Sequence, residues 1–135
     1  MRRYTRSIVV AAALAFDAGH SAPGSEQAHP TGFAERIQPI LDANCVACHQ
    51  TGSAQQGLVL EAGLAYRNLV SQKSRESNLE LVRPGVPESS YLVHKLRGSQ
   101  LTVHGSGAQM PLGSSLEAND LQAIVEWIRL GANND

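Results

Sequence analysis

Large aromatic side chains are scarce in this chain, as are cysteines, long apolar runs and any excess of charge. Aromatic residues make up 4% of the 135 residues, and beyond Ala28 they are Phe33, Tyr66, Tyr91 and Trp127. A domain of about 105 residues with so few bulky groups builds a modest core and needs a further source of stability. Cys45 and Cys48 are the only cysteines, which excludes a four-cysteine zinc site. The formal charge is −1; without residues 1–28 it is −2, with eight basic and ten acidic residues. No basic patch argues for nucleic acid, and no strong field steers a charged partner. The longest apolar run near the start, Ile8 to Phe16, is too short to cross a bilayer as a helix.

That run sits behind Arg2, Arg3 and Arg6 and ahead of a small-residue segment from Ala18 to Ala28. A basic start, a short apolar core and a small-residue tail read as an export signal, so residues 1–28 are assigned to signal and processing. Asp17 interrupts the pattern and no ideal small-x-small triplet marks the cut. Retention of the segment as an amphipathic membrane anchor is the alternative. Residues 29–135 then form a single domain, without internal repeats.

The strongest motif is Cys45-Val46-Ala47-Cys48-His49. Two thiols three residues apart lie almost one helical turn from each other. They can reach the two vinyl groups on one haem edge, while the adjacent imidazole lies beneath the ring and meets the iron. A redox dithiol, a pair of zinc ligands and chance are the competing readings; the dithiol calls for a βαβ context that the sequence lacks. A haem, as a large apolar body, also supplies the missing core volume, and the haem-free chain is expected to fold poorly.

If His49 takes one axial position, Met110 is the first candidate for the other. It is the only methionine besides the initiator and lies in the Gly105–Pro111 loop, among polar neighbours that suit a core methionine badly. The glycines permit close backbone approach, and Pro111 biases Met110 toward extended geometry. Thioether and imidazole are an established pair of haem ligands. A gap-filling role for Met110 is the bland alternative, and His104 is the runner-up ligand. His94 reads as a packing or hydrogen-bonding residue and His29 as part of the N-terminal tail.

Apolar spacing predicts a first helix from Phe33 through Ile37, Ile40 and Leu41, capped by Thr31 and kinked or split at Pro39. A second is predicted over Glu61–Val70. A third begins at Pro87, after a Pro84-Gly85 turn, and ends at Gly98. The last carries Leu121, Ile124, Val125, Trp127 and Ile128, begins at Ser114 or Glu117, and stops at Gly131.

Together, Cys45-x-x-Cys48-His49, Met110-Pro111 and Trp127-Ile128 followed by Gly131-Ala132 resemble a class I c-type cytochrome. Gly57-Leu58-x-Leu60, Pro84-Gly85-x-Pro87-x-x-Ser90-x-Leu92 and Lys95-Leu96 are more similar to the planctomycete-type cytochrome c domain, over roughly residues 33–132. The resemblance implies an all-α, class I cytochrome c-like fold of about four short helices wrapped around one covalently attached haem c. It implies thioethers at Cys45 and Cys48, proximal ligation by His49 and distal ligation by Met110, with the Phe33 helix crossing the Trp127 helix beside the ring. It also implies haem attachment outside the bacterial cytoplasm, in the periplasm, and an electron carrier rather than an enzyme. Its partners would be a redox donor and acceptor, a periplasmic dehydrogenase among them. A haem sensor or peroxidase-like enzyme with a displaceable sixth ligand is the alternative. Two departures stand out: Val86 replaces the polar cap residue expected after Pro84-Gly85, and no proline lies between Pro39 and Pro84, so the residue whose carbonyl orients His49 is not visible in the sequence.

Overall fold

Pro39 decides how the first helix is built. Having no N–H, it cannot bond the carbonyl four residues earlier, and the ladder changes register at that point. Phe33–Ile37 is a π-helical turn in which the Gln38 N–H reaches back five residues to the Phe33 carbonyl. Helix α1, Gln38–Asn44, then starts with Pro39 in its first turn. The expected split is therefore a π-to-α junction. These elements belong to a computed structural model that describes residues 32–135; the expected cap Thr31, His29 and the export signal lie outside it.

Helix α2, Ala65–Leu69, is shorter than the predicted span. Gly63, at φ 79°, turns the chain first, and the Leu64 and Ala65 amides both bond the Glu61 carbonyl. Helix α3, Tyr91–Arg97, ends at Gly98 in the left-handed region as expected, but it does not begin at Pro87. Pro87–Ser89 is a separate 3-10 turn. Between the two, Ser90 is fully buried and extended, and its hydroxyl accepts from the Arg83 N–H and donates to the Val86 carbonyl. A hydroxyl so engaged is not free to cap α3. Helix α4, Ala118–Arg129, begins after Glu117 with no side-chain cap, so the Ser114–Glu117 capping box is not made.

The described residues are thus helical, with no strand longer than an isolated bridge. Three such bridges, Val70–Val82, Lys73–Glu80 and Glu80–Ser90, fold the 70–90 connection onto itself. Helix α4 packs against both Phe33–Ile37 and α3. Phe33 and Trp127 meet at 5.3 Å between ring centroids, and Tyr66 meets Phe33 edge-on at 5.3 Å. Three of the four aromatic residues of the domain therefore form one cluster, which concentrates the scarce large side chains where Phe33–Ile37 meets α4 and the C-terminal segment. The Trp127 indole N–H donates to the Asn133 carbonyl, and the Ala34 N–H to that of Asp135. Around the cluster lie Ile37, Ile40, Leu41, Leu60, Leu69, Val93, Leu96, Ile124 and Ile128, all buried.

Candidate haem site

The cysteine motif begins where α1 runs out. The Cys45 and Val46 amides both bond the Leu41 carbonyl, and the Cys48 and His49 amides both reach the Cys45 carbonyl. The pentapeptide is therefore a compact, coiled turn, which sets the two thiols and the imidazole at fixed offsets. Cys45 is half-buried against the core, whereas Cys48 is exposed; both are free thiols. Burial, followed by the neighbouring Cys48, pushes the Cys45 thiol up to about 11. At neutral pH it stays a protonated thiol.

His49 is fixed from the far side of its own loop. Its Nδ1 lies 2.9 Å from the Leu58 carbonyl oxygen, so that nitrogen carries the proton and donates it. The other nitrogen, Nε2, keeps its lone pair, as an iron ligand requires. The same loop is tied to His49 a second time, by the Leu60 N–H to the His49 carbonyl at 2.7 Å. Leu58 is therefore the acceptor that no proline supplies. The sequence signal for it is weak: a carbonyl is common to every residue, and only the Gly57-Leu58-x-Leu60 string singles out its neighbourhood.

Further bonds brace this loop. Glu61 accepts from the Thr51 amide at 2.9 Å and from the Thr51 hydroxyl, and these bonds hold its carboxyl below the usual range. Buried Gln38, on α1, donates to the Leu60 carbonyl at 3.0 Å. Asn68, on α2, donates to the Val59 carbonyl at 2.8 Å.

Met110 approaches the same core from the other half of the chain. It is half-buried, packs against the hydrophobic cluster that Cys45 also borders, and precedes a cis bond to Pro111. Its amide donates to the Lys95 carbonyl in α3 at 2.9 Å, and the Gln109 side chain donates to the Leu96 carbonyl. The structure thus gathers Cys45, Cys48 and His49 into one turn and sets Met110 on the rim of the shared core. His104 is exposed at the end of a 3-10 turn, Gln100–Val103. His94 is buried with both ring nitrogens engaged, by Ser99 Oγ and the Glu88 carbonyl. Those bonds give it the packing role expected from sequence.

The donor set fits a haem better than a compact ion. Among the described residues, no three His, Cys, Asp or Glu side chains converge as ligands to one metal ion. Cys45, Cys48, His49 and Met110 instead offer separate points of attachment, two of them beside apolar surface. That donor set suits a broad apolar group more than a small ion.

No family model matches the chain, and no solved structure matches it. The chain is similar to hydrazine synthase subunit alpha of Kuenenia stuttgartiensis, with 32% identity over 123 residues. The match takes in 76% of this chain but only 15% of that protein.

Proposed function

We propose that this chain carries an exported, monohaem c-type cytochrome domain that passes single electrons between redox partners. The observation that carries the reading is the hydrogen bond from His49 Nδ1 to the Leu58 carbonyl, which leaves Nε2 free within a Cys-x-x-Cys-His turn. Haem c, when bound, supplies a one-electron ferrous/ferric couple. Cys45 and Cys48 anchor it by thioethers. His49 donates through Nε2, and the Leu58 carbonyl holds the ring orientation and raises the basicity of that nitrogen. Met110 would supply the second protein ligand; as a soft, neutral donor it would favour the reduced state. With His49 and Met110 both bound, the iron would offer no vacancy for a substrate.

Export to the periplasm follows from the N-terminal signal, and donor and acceptor are other redox proteins, a periplasmic dehydrogenase being one candidate. Among the described residues, no helix is long and apolar enough to cross a membrane; in this reading, a membrane contact would come from retention of residues 1–28.

A second reading is favoured by the name of the relative, which denotes an enzyme subunit. In it, Met110 leaves readily and the domain does catalytic or sensory work. A haem-stained denaturing gel of exported protein, paired with carbon monoxide binding to the reduced form, separates the possibilities. A stained band with slow binding supports the carrier; rapid binding supports the second reading. A colourless band from a host with active haem maturation removes both.

A further inference from the structure

The Met110 loop rests on a half-buried polar cluster that ligation itself does not require. Lys95 Nζ and Glu76 Oε2 are 3.0 Å apart, with side chains only 11% and 17% exposed. Tyr91, almost fully buried, places its hydroxyl 3.2 Å from Glu76 Oε2. The cluster then grips the loop at one residue. The Ser106 carbonyl lies 3.1 Å from Lys95 Nζ and 3.2 Å from the Tyr91 hydroxyl, which also accepts from the Ser106 N–H. Beside it, buried Gln100 donates to the Gly107 carbonyl and accepts from the Gly105 amide through its own carbonyl.

Two glycines make this contact sterically feasible. A Cβ on Gly105 would lie 2.5 Å from the Tyr91 ring edge and hydroxyl. One on Gly107, already at φ 75°, would lie 2.9 Å from Glu76 Oε1 and 3.0 Å from Lys95 Nζ. Lys95 is used twice, since its ammonium holds Ser106 and its carbonyl holds the Met110 amide. Burial, above all, pushes the Tyr91 phenol upward; Glu76 adds to the shift, and the bond to Ser106 opposes it. The hydroxyl therefore stays protonated and able to donate.

We propose that Glu76, Lys95 and Tyr91 are positioning residues for the sixth ligand. They pin the loop at Ser106, four residues ahead of Met110, and so set how readily the methionine leaves the iron. The inference rests on the ligation by Met110 proposed above. Glu76 comes from the 70–90 connection rather than from α3, so the cluster also couples that connection to the ligand loop.

The test uses exported, haem-loaded full chain and two variants, Glu76→Gln and Tyr91→Phe. Carbon monoxide binding to the reduced protein is followed together with amide exchange at Ser106, Met110 and Leu60. Losing the charged partner of a buried hydrogen-bonded group is expected to speed both carbon monoxide binding and exchange at Ser106 and Met110 by about tenfold. Exchange at Leu60, on the His49 side, stays unchanged. Tyr91→Phe acts in the same direction and less strongly. Unchanged binding and exchange in both variants overturn the proposal, as does equal acceleration at Leu60, which is the mark of general destabilisation. Wild-type protein that binds carbon monoxide rapidly, with no methionine to displace, overturns the ligation itself and is recognised before any variant is made.

Discussion

The two sides of the candidate haem site are held in opposite ways. On the histidine side, Cys45 to Leu60 is closed mainly at short range: its turn by backbone bonds within a few residues and His49 by an acceptor nine residues on, with Gln38, Glu61 and Asn68 bracing the loop from nearby segments. On the methionine side, the loop around Met110 depends on α3 and on Glu76, which is 34 residues away in sequence. Short-range closure costs little chain entropy, whereas a loop held by distant side chains is ordered only once the rest has folded. The first side therefore resists perturbation as a unit, and under the proposed ligation the second is the place where the iron's environment would be adjustable.

The largest effect is expected at the histidine. His49→Ala removes the only axial donor within the motif and is predicted to abolish stable holoprotein, read as haem-stained yield from an exporting host. Survival of a fully loaded, low-spin variant would break the comparison. Next comes the aromatic cluster within the hydrophobic core that Cys45 and Met110 both border. Trp127→Ala is expected to cost about 3–5 kcal/mol of stability by denaturant titration, through loss of its contacts with Phe33 and Tyr66. On the methionine side, Met110→Ala should leave the haem covalently attached but high-spin or weakly ligated. Its midpoint potential is expected to be lower, measured by redox titration with optical detection.

Smaller effects sharpen the contrast. Gly105→Ala forces a Cβ against the Tyr91 ring and should displace the loop at a cost of about 1–3 kcal/mol, weakening methionine ligation and leaving haem attachment intact. Gly57→Ala acts on the other side, at φ 71° and with the Arg75 guanidinium 2.7 Å from the new Cβ. It is expected to cost about 1 kcal/mol. It should also alter the His49 signals in a paramagnetic NMR spectrum more than the potential.

How much of this was legible in the sequence follows the same division. The apolar face of α4 could be read directly, because spacing and residue type fix it; the haem roles proposed for the cysteine turn and Met110 rest on the same kinds of signal. Gly98 likewise marked the end of α3. Helix starts were harder. Pro87 suggested one, but Ser90 spends its hydroxyl on the Arg83–Val86 turn, and α3 waits until Tyr91. Ser114 and Glu117 matched a capping box that is not formed. The Leu58 acceptor was out of reach because it is a backbone atom, whose use depends on how the loop closes. Glu76 had no local signal at all, since a lone carboxylate in a polar segment usually faces solvent, and only the tertiary fold brings it to Lys95 and Tyr91.

The most direct measurement of the central claim is the ferric optical spectrum of exported full-length protein, recorded beside that of Met110→Ala. His49 and Met110 as the two axial ligands predict a low-spin spectrum with the weak methionine–iron charge-transfer band in the wild type and its loss in the variant. A wild-type spectrum without that band, or a band that survives the substitution, would contradict closure of the iron by Met110.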